Sequence, residues 1–209
     1  MPDKFQNKYR IQSARLQNWD YGSNAMYFVT ICTQNRQCYF GDVVAGIMNL
    51  SEIGKIVETE WLKTFEIRAD MNLHLGEYVV MPNHFHAIIT IGINKYNAQR
   101  DGQRDAQPDA ANRRDAMHCV SSTNDTTATG QKNAKKNHFG PQSKNLASII
   151  RGFKSAVTTG ARMIHADFEW QSRFHDHIIR NDESFQRISN YIINNPLKWT
   201  DDTFYNNDL

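Results

Sequence analysis

From Asn94 to Gln142 the chain is rich in Asn, Gln, Asp, Ala, Thr and Arg and nearly empty of large apolar side chains. A segment of this composition cannot offset the entropy of ordering itself, so any folded core must come from the two flanks. A four-residue unit recurs inside it: Gln99-Arg100-Asp101-Gly102, Gln103-Arg104-Asp105-Ala106 and Gln107-Pro108-Asp109-Ala110, with a degenerate copy at Arg114-Asp115-Ala116. A period of four could suggest a helix, but no apolar stripe accompanies it and Pro108 interrupts it. The expected organisation is one domain built from residues 1–93 and 144–209, split by a disordered polar insertion over 94–143.

The flanks carry regular patterns. Met26–Thr33 is β-branched and aromatic, as a strand should be. Ser51 is placed to cap a helix reaching to about Phe65, with Ile53, Val57 and Trp61 spaced four apart beside Ile56. Leu73–Val80 reads as a second strand, Pro82-Asn83 as a turn, and Phe85–Ile93 as a returning strand. Beyond the insertion, Leu146, Ile149, Ile150, Phe153 and Val157 share a helical face. Phe174–Ile179 is a short strand, and Asp182–Asn195 a last helix with acids at its start and Pro196 at its end. The order β-α-β-β-α-β-α predicts an α+β fold, a ferredoxin-like antiparallel sheet with helices on one face.

Composition excludes more than it selects. No apolar run approaches the ~20 residues that span a bilayer. The start of the chain is polar and lacks a secretory core. Cys32, Cys38 and Cys119 are odd in number and form no CxxC pair, which suits a reducing cytosol rather than a disulfide framework. Net charge is only +2, so charge alone points to no polyanionic partner.

One block carries chemistry: Met81-Pro82-Asn83-His84-Phe85-His86-Ala87-Ile88-Ile89-Thr90. Residues two apart on a strand share a face, which puts His84 and His86 side by side on one exposed face and sends Phe85, Ala87 and Ile89 into the core. Such a pair could hold one metal ion or be plain polar surface, and the pair alone does not decide. On the last helix, Arg187, Tyr191 and Asn195 fall on one face while Phe185, Ile188 and Ile192 cover another. Tyr191 reads either as a half-buried tyrosine with a wet hydroxyl or as a nucleophile. In the second case Asn195 supplies an oxygen as third ligand beside the histidines. A His/His/amide set suits Mg2+ or Mn2+ better than zinc.

Several separated blocks, NWDYGSNAMYFVTICTQNRQCYFG, YVVMPNHFHAIITI, FKSAV, WQSRFHDHIIRN and YIINNPLKW, together resemble the REP-associated tyrosine transposases, a branch of the single-tyrosine HUH transposases. The similarity covers residues 8–93 and 144–199 in order. By that resemblance His84 and His86 are metal ligands, Asn195 falls where relatives place a polar third ligand, and Tyr191 falls at the nucleophile. The implied activity is metal-dependent nicking and strand transfer of single-stranded DNA through a 5′-phosphotyrosine, at hairpin-forming palindromes.

The resemblance also implies a nucleoid-associated protein of bacterial type, monomer or homodimer, needing no nucleotide cofactor. No GxxxxGK[ST] motif occurs in the chain, in keeping with that last expectation. Arg10, Arg15, Arg36, Arg151 and Lys154 are then candidate phosphate contacts, and Tyr9, Trp19 and Tyr21 candidate stacking partners for unpaired bases. His177 is expected to be structural or DNA-facing, and His175 incidental. The alternatives are a non-catalytic DNA- or RNA-binding module that kept the fold, and a metal hydrolase of small molecules. The second is disfavoured because no general-base carboxylate accompanies the histidines.

Overall fold

The computed structural model describes residues 4–5, 8–9, 16, 19–98 and 143–205. Arg10, Arg15, Cys119, the tetrapeptide units and the side chain of Tyr9 lie outside the described residues. Two-residue strands β1 (Lys4–Phe5) and β2 (Lys8–Tyr9) pair near the start. They are followed by β3 (Ala25–Cys32), β4 (Gly41–Val44), β5 (Ile47–Leu50), helix α1 (Glu52–Ile67), β6 (Leu73–Met81), β7 (His84–Ile91), α2 (Leu146–Ala161), β8 (His175–Ile179) and α3 (Asp182–Asn194).

Four strands form the main sheet in the order β6-β7-β3-β8, every neighbouring pair antiparallel. The strand that follows α1 and the strand that follows α2 both go to sheet edges, which is the ferredoxin-like arrangement expected from the element order. Alternation sorts each strand into two faces. On one face Tyr27, Val29 and Ile31 of β3 and Phe85, Ala87, Ile89 and Ile91 of β7 are buried under α1 and α2. Trp61 sits at the centre, its ring edge-on to Phe85 at 5.1 Å and to Phe153 at 5.2 Å between centroids. Truncating such a residue costs about 3–5 kcal/mol.

Capping fixes where these helices begin. The Ser51 hydroxyl accepts from the Gly54 amide to start α1, and Asn145 and Ser148 form a reciprocal capping box at α2.

The class is as expected, and three details differ. First, α1 and α2 share a face, but α3 lies on the opposite one. There Ile188 and Ile192 pack against Phe28, Ile88 and Ile179. Helical periodicity shows that a helix has an apolar side; it does not say which face of a sheet receives it. Second, β4 and β5 form a hairpin, turning through Ala45 and Gly46, both with positive φ (51° and 76°). Two left-handed residues make the turn whose twist suits a hairpin, and glycine adopts that backbone without strain. Third, residues 94–98, expected in the insertion, belong to the fold. The buried Asn97 amide donates to the carbonyls of Gly22 and Gly92.

Candidate nuclease centre

The second sheet face carries the polar block. Cross-strand register puts His84 opposite Cys32 and Met81, and His86 opposite Thr30 and Val79. The two imidazoles lie 4.5 Å apart between ring centroids. Above them α3 brings Tyr191, whose hydroxyl is 3.1 Å from His86 Nε2. Its ring meets Phe28 edge-on and packs with the small cluster that anchors the helix. Helical periodicity therefore does two jobs on α3: Ile188 and Ile192 hold the helix down, and the intermediate position Tyr191 is aimed along the sheet at the histidine.

Asn195 caps α3 and is buried. Its Nδ2 donates to Asp202 Oδ2 at 3.1 Å, so the amide is oriented with Oδ1 directed elsewhere. That Oδ1 and His84 Nε2 make no hydrogen bond of good geometry, although the Asn195 side chain is close enough to act on both His84 and Tyr191. Two unpaired buried polar atoms in one site are costly unless something binds them. Two imidazole nitrogens and an amide oxygen are a donor set that a divalent cation can accept. The residues therefore fit a metal ion, with His84, His86 and Asn195 as the side chains that would hold it. Among the described residues no group of three His, Cys, Asp or Glu side chains is placed to hold a metal ion, at this site or elsewhere, so the third donor here would have to be the amide.

Electrostatics favour neutral rings. Burial first, then His86 and Arg36 nearby, holds the His84 imidazole well below its ordinary pKa, with Asn195 opposing. Burial and then His175 bring His86 down to about 3. Both rings are thus neutral at pH 7, and each keeps one unprotonated nitrogen. Burial, then Asp202, raises the Tyr191 phenol above its usual range, with Asn195 opposing. Left to itself the hydroxyl keeps its proton.

A roof closes the site. After Pro196 a 3-10 turn runs to Asp201 and brings Trp199 and Phe204 over the histidines. The Phe204 ring lies 4.5 Å from His84 and 6.0 Å from His86. His84 is 0 % and His86 2 % exposed, so in this structure neither ring is open to solvent.

No protein-family model matches the chain. Over 199 residues it is 32 % identical to an uncharacterized protein of Haemophilus influenzae, covering 93 % of this chain and 92 % of that one. Among solved structures, a REP-associated tyrosine transposase bound to a REP hairpin aligns with TM-score 0.51 and 16 % identity, covering 90 % of this chain and 74 % of that one. The chain belongs to one family with the Haemophilus protein, and its fold is that of the REP-associated tyrosine transposases. A second structure, a putative transposase from Deinococcus radiodurans, covers 87 % of this chain and 97 % of its own at TM-score 0.36 and 12 % identity, too loosely to bear on the fold.

Within this transposase fold the expected DNA-contacting residues are scattered. Arg36 is half-buried at the roof; it donates to the Thr203 carbonyl at 2.6 Å and lies 4.9 Å above the Phe204 ring. Lys154 donates to the carbonyls of Gln171 and Arg173, and burial lowers its pKa to about 8 against a weaker opposing effect of Cys32. Arg151 is exposed on α2. Trp19 donates to the Tyr27 hydroxyl and Tyr21 stacks on the Tyr27 ring, so both are engaged in packing.

His175 and His177 oppose Thr30 and Phe28, which puts them on the same sheet face as the paired histidines. His175, expected to be incidental, thus lies one strand beyond Thr30 in the row that contains His86. Thr30, Asn83, Asp202 and Phe204 are site residues that the sequence does not single out. Only Asn83 carries a signal there, as the neighbour of His84 in the turn.

Among the described residues no helix is long and apolar enough to cross a membrane.

Proposed function

We propose that the chain nicks single-stranded DNA and transfers the cut strand, using Tyr191 as covalent nucleophile, at or beside hairpin-forming palindromes. The observation that carries this reading is the meeting of the Tyr191 hydroxyl with His86 Nε2 at 3.1 Å, beside the unpaired His84 Nε2 and Asn195 Oδ1. Support for the hairpin substrate class comes from the solved transposase of the same fold, which is bound to a REP hairpin.

In the reaction the Tyr191 oxygen forms a bond to phosphorus and its proton leaves. The bond from phosphorus to the 3′-oxygen breaks, and that oxygen departs with a proton as a 3′-hydroxyl. The phosphotyrosine keeps the energy of the original ester, so the 3′-hydroxyl of another strand can attack it and restore the phenol without a nucleotide cofactor.

His84, His86 and Asn195 would hold a Mg2+ or Mn2+ ion, which when bound supplies charge stabilisation for a phosphate approaching Tyr191. His86 Nε2 faces the Tyr191 hydroxyl in this structure, so a cation held by that nitrogen would compete with the phenol for it. The roof of Trp199 and Phe204 has to lift before DNA enters.

The test is incubation of the full chain with hairpin-bearing single-stranded DNA and Mn2+. A denaturation-resistant adduct that chelation abolishes supports the reading. DNA binding that forms no adduct and is indifferent to chelation points instead to a non-catalytic module.

A further inference from the structure

Asn83 is wholly buried in the turn between β6 and β7, and every polar atom of its side chain is committed. Its Nδ2 donates to two carbonyls, Phe204 O at 2.7 Å and Arg36 O at 3.1 Å. Both amide hydrogens are thereby spent, so the amide cannot be flipped, and its Oδ1 can only accept. That Oδ1 lies 2.9 Å from His84 Nδ1. An accepting oxygen at this distance requires the proton on Nδ1, which leaves Nε2 as a bare lone pair. The backbone of Asn83 is clamped as well: its carbonyl accepts from the Thr33 amide and hydroxyl, both at 2.9 Å.

His86 has no comparable constraint. Its Nδ1 faces the Thr30 hydroxyl and its Nε2 the Tyr191 hydroxyl, and each hydroxyl can donate or accept. Of the two rings, only His84 has its tautomer dictated by its surroundings.

We infer that Asn83 is a positioning residue that fixes His84 as the Nδ1–H tautomer and so presents Nε2 to an incoming divalent cation. The same amide grips the Phe204 carbonyl, so the closing segment helps to set the tautomer of the ring it covers. This inference rests on the metal-binding reading above, but its first readout does not. A ligating histidine whose other nitrogen donates to a fixed acceptor is a stronger and better oriented ligand, and loss of such a partner typically weakens metal affinity 10–100-fold.

The experiment uses the full, metal-free chain labelled with 15N at histidine, with ring tautomers read by NMR, followed by titration with Mn2+. In the wild type, His84 carries its proton on Nδ1 and Nε2 is bare. Asn83→Ala mixes the tautomers and weakens Mn2+ binding by about 10–100-fold. If Asn83→Ala does not fold, the wild-type spectrum decides. A proton found on Nε2 in the wild type overturns the inference. So does a folded Asn83→Ala with unchanged tautomer and Mn2+ affinity. A wild type that shows the bare Nε2 yet binds no Mn2+ sinks the metal reading and leaves the role of Asn83 standing.

Discussion

The Tyr191 hydroxyl and His86 Nε2 meet at 3.1 Å although 105 residues separate them in the chain. The contact has a competitive consequence, because a ring nitrogen that hydrogen-bonds the phenol, as donor or acceptor, would not at the same time be free to bind a cation. Tyr191→Phe removes the competitor. The variant should therefore bind Mn2+ as tightly as the wild type or more tightly, while forming no DNA adduct. Titration calorimetry on both proteins checks this, and a marked loss of affinity in the variant would make the phenol itself a ligand.

Acid should unfold the metal-free protein through the buried histidines. Unfolded, each ring titrates near 6.5; folded, His86 is down at about 3 and His84 is well below its ordinary value. A depressed folded pKa means that the unfolded chain takes up protons first. Stability is thus complete above about pH 6.5 and falls as pH drops toward 3, by up to about 1.4 kcal/mol per pH unit for each ring. Urea denaturation between pH 7 and pH 4.5 measures the slope. The double variant His84→Gln, His86→Gln should show a shallower loss.

The family resemblance predicts a phosphate contact for Lys154, but its ammonium instead joins the carbonyls of Gln171 and Arg173 beside the Trp170 ring. Lys154→Ala should cost about 1–2 kcal/mol of folding stability by leaving these acceptors to water. The salt dependence of DNA binding should hardly change, whereas a phosphate contact would reduce it by about one unit of slope.

Opening the roof should speed access to the histidines. Phe204 is buried against His84, and its amide and carbonyl are tied to Asp202 and Asn83. Phe204→Ala should raise the rate at which Mn2+ associates, followed by stopped-flow displacement of a chelating dye. An unchanged rate would mean that entry does not pass beneath this ring.

Much of this site is legible in the sequence alone. Two-residue alternation puts His84 and His86 on one face and Phe85, Ala87 and Ile89 on the other, and the structure bears this out. The stripe of α2, from Leu146 to Val157, is buried as its spacing predicts.

What stays hidden depends on distant parts meeting. That α3 crosses the face opposite α1 and α2 is set by Phe28, Ile88 and Ile179, which give no sign in the helix itself. The roof lies in a 3-10 turn and the bend after it, with no periodicity to read, so Asp202 orienting Asn195 and Phe204 covering His84 are invisible in the sequence. The hairpin of β4 and β5 escapes notice because its apolar runs are short, although Ala45-Gly46 between them is a turn signal.

Mapping the covalent bond tests whether Tyr191 is the nucleophile. The full chain is incubated with hairpin-bearing single-stranded DNA and Mn2+, the adduct is digested, and the modified peptide is sequenced by mass spectrometry. The account predicts one phosphotyrosyl linkage to a 5′-phosphate, at Tyr191, absent from Tyr191→Phe. An adduct at any other residue, or none under conditions where DNA and Mn2+ both bind, would contradict it.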